Sequence, residues 1–134
     1  MMADSQQALR DYVRHWYEVF PRGDAAAMAA LYTDDARLML ANLPRVQGSK
    51  AIGAMIGSFP SYAEMNCRHE VTDVDMLSDN LAVVTGSAWV DVTPRDGSAP
   101  SRDASRFVMV MKRDPDSGDW RCHYDVSQHT PDVS

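Results

Sequence analysis

The chain has 134 residues, of which 45% are hydrophobic and 24% are charged, and its formal net charge is −6. This length and composition are typical of one soluble globular domain that buries a sizeable core. The acidic balance and the scattered Lys and Arg argue against nucleic acids and anionic membranes as partners, because both bind clustered positive charge.

The first residues, MMADSQQALRDYV, include an early acid and lack a continuous apolar segment, so they do not resemble a signal peptide. No apolar run in the sequence is long enough to cross a bilayer. Cys67 and Cys122 show neither CxxC nor metal-ligand spacing. These features predict a single domain, residues 1–134, that resides in the cytoplasm with both thiols reduced.

Two helices are predicted at the start of the chain. Apolar residues recur over residues 5–20 at the i, i+3, i+4, i+7 spacing of an amphipathic helix, and Pro21 ends this helix. Asp24 is a suitable N-cap for a second, shorter helix in the Ala-rich segment that follows it.

Asp34 and Asp35 follow the second helix, and adjacent carboxylates raise the question of a catalytic pair or a metal site. They precede a strand predicted at residues 36–40. Neighbouring side chains of an extended segment point to opposite faces, so the two carboxylates cannot converge on one substrate atom. Short acids at such a junction bond local backbone N–H groups. We therefore interpret the pair as a structural turn with diverging side chains.

A third helix and four further strands are predicted next. A loop at residues 41–47 leads to a helix that begins at Gly48 and Ser49 and that Pro60 stops. Beyond Pro60 the hydrophobic period changes from helical to strand-like. Turn-forming segments separate strands predicted at residues 62–77, 81–93, 102–113 and 119–128. Helices followed by long antiparallel strands predict an α+β domain whose sheet curls over the helices.

Alternation along each strand assigns side chains to the two faces of the sheet. His69 is the polar member of an otherwise apolar face, and Asp103 shares a face with Phe107 and two methionines. In the last strand, one face is predicted to hold Trp120, Cys122, Tyr124 and Val126, and the other His123, Asp125 and Ser127.

Three segments carry a resemblance to a known family: GDAAAMAALYTDDARLML, VQGSKAIGAMI and the closing DWRCHYDVSQHTP. They resemble SnoaL-like and ketosteroid isomerase-like members of the nuclear transport factor 2-like superfamily, over most of the chain. The resemblance implies a conical, cystatin-like barrel in which a strongly curved antiparallel sheet wraps around three N-terminal helices, with a pocket at its open end. The superfamily includes isomerases, cyclases, dehydratases and non-catalytic binding modules, so the resemblance does not fix an activity.

The steroid isomerases of this superfamily use a base on the first strand, a tyrosine on the first helix and a protonated carboxylic acid on a later strand. The resemblance places Leu40 at the base position, Trp16 at the tyrosine position and Asp103 at the acid position. Leucine cannot move a proton, and an indole N–H polarises an oxygen more weakly than a phenol does. We therefore do not expect steroid isomerisation by that mechanism.

Three polar residues are the candidate catalytic groups. Asp103 should lose hydration among apolar neighbours and donate a hydrogen bond as a neutral acid, unless a neighbouring arginine pairs with it. His69 titrates near neutrality, and is either an acid–base group, a satisfied core histidine or a contact to a dimer partner. Asp125 is a pocket acid, a partner of His123 or a solvent-facing residue.

The flat and apolar side chains form either the walls of the pocket or part of the ordinary hydrophobic core. The residues expected to contact a ligand are Trp16, Tyr12, Leu40, Met65, Trp89 and Phe107. The sequence contains no HExxH or CxxC pattern, Gly-rich phosphate loop or GxSxG motif. We therefore expect a pocket without a metal or cofactor.

Three functions fit these features. The first is acid–base isomerisation, cyclisation or dehydration of a small apolar carbonyl or polyketide-like compound. The second is non-catalytic binding of a hydrophobic metabolite, and the third is a role as an assembly module. A homodimer is expected, because the outer face of the sheet should carry more apolar residues than a monomer exposes. The residues predicted on that face are Val84, Ala88, Val90, Val108 and Val110.

Overall fold

The computed structural model describes residues 2–130, with side chains from residue 4 onward. Within this part of the chain lie three α-helices, α1 (Met2–Val19), α2 (Ala25–Ala29) and α3 (Ser49–Tyr62), and a 3-10 turn, Phe20–Arg22. The strands are β1 (Tyr32–Met39), β2 (Val46–Gln47), β3 (Ala63–Ser78), β4 (Leu81–Pro94), β5 (Ser101–Arg113) and β6 (Trp120–His129). None of the described helices is long and apolar enough to span a membrane.

The strands form one curved sheet in the order β2–β1–β6–β5–β4–β3. The α+β class and the sheet packed around N-terminal helices are confirmed. In two respects the sheet differs from the expectation. It is mixed, because β1 pairs in parallel with β6 while the other pairs are antiparallel. It also remains open, because β2 and β3 are its two edges.

The helices form for local reasons and pack closely through small residues. The Asp24 side chain accepts a hydrogen bond from the backbone N–H of Ala27 at 3.0 Å, which confirms its predicted role as an N-cap. Gly53 in α3 has no Cβ, and one added there would lie 2.7 Å from the Cβ of Ala29 in α2. Pro60 was predicted to stop α3, but it lies in the last turn, and the helix ends at Tyr62.

The interpretation of Asp34 and Asp35 as a turn is wrong, because both residues lie inside β1 and are exposed. The pairing of β1 with β6 is irregular between Tyr32 and Arg37, so this part of the strand departs from a regular ladder. Asp35 lies 3.6 Å from the imidazole of His123. Among the described residues, no three His, Cys, Asp or Glu side chains are grouped so as to hold a metal ion.

The core fills the space between the helices and the concave face of the sheet. Val84 and Ala88 are buried in it, and Val90 also faces inward, so their predicted position on the outer face is wrong. Val108, which is 41% exposed, lies on the outer face as predicted. The alternation along β4 itself indicates this orientation, because the polar residues Thr85, Ser87 and Asp91 share the other face.

Candidate functional site

An apolar cavity of about 200 Å³ lies between the concave face of the sheet and the helices. Trp16 and Tyr17 of α1 contribute aromatic walls, together with Phe20 of the 3-10 turn, Phe59 of α3 and Phe107 of β5. Leu40 and Met65 also line the cavity. Of the residues expected to contact a ligand, four therefore line the cavity: Trp16, Leu40, Met65 and Phe107.

A β-bulge at His123 determines which side chains of β6 face this cavity. Val110 pairs with Tyr124, whereas Met111 pairs with Cys122, so His123 is an extra residue in β6. After the bulge, Asp125, Ser127 and His129 line the cavity. Strict alternation had placed Asp125 on the face opposite Cys122. This assignment is wrong, because the bulge shifts the alternation by one residue and both side chains are buried.

Asp125 is the most deeply buried acid of the cavity, and its side chain is held by a short chain of hydrogen bonds. The residue is 3% exposed, and its Oδ2 accepts a hydrogen bond from the Tyr32 hydroxyl at 2.6 Å. The same hydroxyl accepts a hydrogen bond from the Trp16 indole N–H at 2.9 Å. Burial raises the pKa of Asp125 to about 6, and the Tyr32 hydrogen bond opposes this rise. A carboxyl with this pKa can exchange protons near neutrality.

Asp103 and His129 form a second polar group at the more exposed end of the cavity. Asp103 Oδ1 lies 2.8 Å from His129 Nδ1, and the two side chains are 45% and 47% exposed. The expectation of a desolvated Asp103 is therefore wrong, because the side chain is half exposed. The neighbouring Arg102 pairs instead with Asp91, at 2.7 Å.

His129 is a cavity residue that the sequence reasoning missed. The sequence predicts that the last strand ends one residue earlier, at residue 128. In the structure β6 includes His129, which pairs with Ser105 of β5. Alternate residues of a strand share a face. His129 follows Ser127 by two residues and Asp125 by four, and this spacing could have indicated that all three side chains lie on one face.

Three of the predicted site residues lie outside the cavity lining. The His69 ring stacks on Tyr17, with centroids 5.0 Å apart, and desolvation together with the charge of Arg14 lowers the pKa of His69. Trp89 lies on the outer face beneath the Arg68 guanidinium, 4.1 Å from the ring centroid. Tyr12 is buried in the core, where its hydroxyl donates to the Leu31 carbonyl at 2.6 Å.

The family model described as a SnoaL-like domain matches residues 13–123. A candidate scytalone dehydratase from Novosphingobium aromaticivorans superimposes with a TM-score of 0.87 at 12% identity, covering 96% of this chain and 85% of the other. A ketosteroid isomerase-like protein from Erwinia carotovora gives 0.78 at 20% identity, covering 96% and 93%. ActVI-ORFA from Streptomyces coelicolor gives 0.77 at 19% identity, covering 94% and 97%. No curated protein matches the sequence significantly. At these identities the structural matches establish the fold alone.

Proposed function

The chain belongs to the SnoaL-like domain family, and on this premise we propose that it is a cofactor-free acid–base enzyme. Its proposed reaction is the isomerisation, cyclisation or dehydration of a small, mostly apolar carbonyl compound. The observation that carries this proposal is the buried Asp125 carboxyl in an apolar cavity that also holds the Asp103–His129 pair. Such a cavity brings two proton-exchanging groups to one ligand.

Asp125 is the proposed general base. At neutral pH its carboxylate has lost most of its hydration, which strengthens it as a proton acceptor. Tyr32 occupies Oδ2, so we assign Oδ1 to remove a proton from the carbon next to the substrate carbonyl. The electron pair of the broken C–H bond then moves toward the carbonyl oxygen and gives an enolate.

His129 is the proposed general acid, and Asp103 is its positioning residue. The contact of 2.8 Å between Asp103 Oδ1 and His129 Nδ1 orients the ring. Nε2 is then the nitrogen that donates a proton, either to the enolate or to a departing hydroxyl group, which leaves as water. The dehydratase and isomerase descriptions of proteins with this fold support proton transfer as a class of reaction by analogy.

Hydrogen–deuterium exchange tests the proposal without knowledge of the natural substrate. The probe is 2-tetralone, a neutral ring ketone, and NMR in D2O follows loss of the protons next to its carbonyl. We expect the protein to accelerate exchange, and Asp125→Asn to reduce the acceleration by about 100-fold or more. Asp79→Asn makes the same change of charge in the exposed turn between β3 and β4 and should leave the rate unchanged. Equal rates in the wild type and Asp125→Asn would contradict the proposal. Binding of the ketone without exchange would indicate a carrier.

We further propose that the protein acts in the cytoplasm as a homodimer. Cys67 and Cys122 are free thiols, the state that a reducing compartment maintains. Apolar side chains that include Val108 lie on the outer face of the sheet, and a second copy would cover them.

A further inference from the structure

Two neighbouring residues of β1 contact β6 at its bulge and just beyond it. Tyr32 donates a hydrogen bond to Oδ2 of the cavity-facing Asp125 at 2.6 Å. The hydroxyl oxygen of the next residue, Thr33, lies 2.8 Å from Nδ1 of His123, the extra residue of the bulge, which lies outside the cavity lining. We infer that Thr33 and His123 are positioning residues for Asp125, because their hydrogen bond holds the extra residue before Asp125 and so keeps its carboxyl turned into the cavity. This inference rests on the proposed function, because it assigns the residues that position the proposed general base.

The backbone pairing of β1 with β6 does not by itself fix the place of the bulge. The register of the two strands passes from the pair Tyr32–Cys122 directly to the pair Arg37–Tyr124. Residues 33–36 and His123 lie between these two pairs, where the regular ladder is interrupted. The hydrogen bond between the Thr33 and His123 side chains crosses this interruption, so it supplies the link that ladder hydrogen bonds supply elsewhere in the sheet.

A regular continuation of β6 would produce a different cavity. If the ladder continued from Cys122 without an extra residue, Tyr124 would pair with Met109 and turn inward, and Asp125 would turn outward. In the structure, the ring of Tyr124 instead lies 5.2 Å from the guanidinium carbon of Arg37. The position of the extra residue along β6 therefore decides whether the carboxyl faces the cavity.

The surroundings of His123 favour a neutral ring that is fixed in place. The residue is 8% exposed. Desolvation lowers the pKa of His123, the charges of Lys112 and Arg37 lower it further, and Asp35 at 3.6 Å opposes this change. The neutral ring bonds the Thr33 hydroxyl through Nδ1 in either tautomer, since a hydroxyl both donates and accepts.

Removal of the Thr33 hydroxyl tests the inference. Thr33→Val keeps the β-branched shape and removes the hydrogen bond. We expect kcat for 2-tetralone exchange to fall by about three- to tenfold with KM nearly unchanged, because the loss of one hydrogen bond allows a fraction of the molecules to turn Asp125 away. Thr33→Ser keeps the hydroxyl and should keep the wild-type rate.

Thr72→Val is the matched control for this substitution. It removes a hydroxyl that lies 3.1 Å from the Thr85 hydroxyl on an exposed part of the sheet, and it should leave kcat unchanged. An unchanged kcat in Thr33→Val, or an equal loss in Thr33→Ser, would overturn the inference.

The pKa of Asp125 is a readout that does not depend on activity. A carboxyl that turns away from the cavity regains its hydration, so Thr33→Val should lower the pKa of Asp125 from about 6 by about one unit, measured by carbon-13 NMR titration. Loss of the Tyr32 hydrogen bond alone would move this pKa in the opposite direction, because that bond lowers it. An unchanged or raised pKa in Thr33→Val would overturn the inference even if the variant were less stable to urea, because Thr33 would then support the fold without orienting Asp125.

His123→Phe removes the same hydrogen bond from the other partner. It keeps an aromatic ring against Tyr124, whose centroid lies 5.0 Å from that of the imidazole. Its effects on kcat and on the pKa of Asp125 should match those of Thr33→Val. The double variant should show no further loss, because both substitutions remove one bond. Losses that multiply in the double variant would exclude this bond as their common cause.

Activity and pKa together distinguish the failure of the inference from the failure of the proposed function. If the wild type does not accelerate exchange but Thr33→Val lowers the pKa of Asp125, the positioning is supported and the acid–base function fails. If exchange depends on Asp125 but Thr33→Val changes neither kcat nor this pKa, the acid–base function is supported and the positioning by Thr33 and His123 fails.

Discussion

Asp125 experiences two opposing influences, because burial favours its neutral form whereas the Tyr32 hydrogen bond favours the carboxylate. Removal of the Tyr32 hydroxyl should therefore raise the pKa of Asp125 above its value of about 6. We expect Tyr32→Phe to raise it by about one unit, measured by carbon-13 NMR titration of the carboxyl group. Trp16→Phe keeps the direct hydrogen bond and should cause a smaller change. An unchanged pKa in Tyr32→Phe would show that this hydrogen bond does not stabilise the carboxylate.

The raised pKa of Asp125 also makes a prediction for stability. An unfolded Asp titrates near pH 3.9, and the folded Asp125 near 6, so the folded state binds more protons between these values. The stabilisation by this group is full below the unfolded pKa and is lost as pH rises through about 6. We expect Asp125→Asn to be more stable than the wild type at neutral pH, by about 1–3 kcal/mol.

Urea unfolding of both proteins across this pH range measures the difference. The two free energies of unfolding should converge as the pH falls to about 4. Asp91 should make a contribution to stability with the opposite dependence on pH, because its hydrogen bond with Arg102 lowers the pKa of its carboxyl. A constant difference between Asp125→Asn and the wild type would show that Asp125 does not titrate in this window.

Asp103 should affect the reaction through His129. Asp103→Asn removes the carboxylate that holds His129 Nδ1, and we expect it to lower kcat for 2-tetralone exchange by about 10- to 100-fold while KM changes little. Asp91→Asn substitutes an exposed aspartate that does not line the cavity and should leave both constants unchanged. A change confined to KM would indicate that Asp103 contacts the ligand instead of positioning the histidine.

Among the structural elements, β4 and β5 depend on a glycine for the shape of the cavity wall. Gly86 pairs with Phe107, and a Cβ at this position would lie 2.6 Å from the Phe107 ring and clash with the Glu70 carbonyl oxygen. We expect Gly86→Ala to destabilise the protein by about 1–3 kcal/mol, measured by urea unfolding. It should also weaken ligand binding, because Phe107 lines the cavity. Ser87→Ala, at the neighbouring position, should be nearly neutral, and equal effects of both substitutions would contradict this account.

At the scale of the whole molecule, we propose that the outer face of the sheet binds a second copy of the chain. Its central apolar patch consists of Val83, Val108, Val110, Tyr124 and Val126, as the strand register indicates. Asp73 and Asp75 on β3 lie at one side of this patch, and Arg37 on β1 lies at the other. A two-fold axis in the plane of this face and parallel to the strands would place the acidic side of one copy near the basic side of the other.

Light scattering at micromolar concentration should therefore give a mass of about 30 kDa, twice the 14.9 kDa of the chain. Val108→Asp introduces a charge into the patch and should yield the monomer. Leu77→Asp is the control, because Leu77 is 61% exposed near the end of β3 and lies outside the patch. A wild-type mass near that of one chain would exclude the dimer.

The sequence by itself determined the features that depend on local interactions. Its helical periodicity predicted α1, and its strand periodicity together with the turn segments placed the boundaries of the four long strands within one residue of those observed. Asp24 was identified as a helix cap, because an N-cap bonds a backbone group three residues away. The motif GDAAAMAALYTDDARLML indicated the superfamily, and the family match over residues 13–123 agrees with it.

Only the tertiary structure decided which polar groups meet in the cavity. Alternation assigns each side chain to a face by counting from an earlier residue of the strand. The bulge at His123 adds one residue to β6, so Asp125 lies on the face opposite to the one that counting from Cys122 predicts. Asp103 and His129 lie 26 positions apart in the sequence, and no local pattern relates them. They meet because β5 and β6 pair antiparallel, with Ser105 opposite His129.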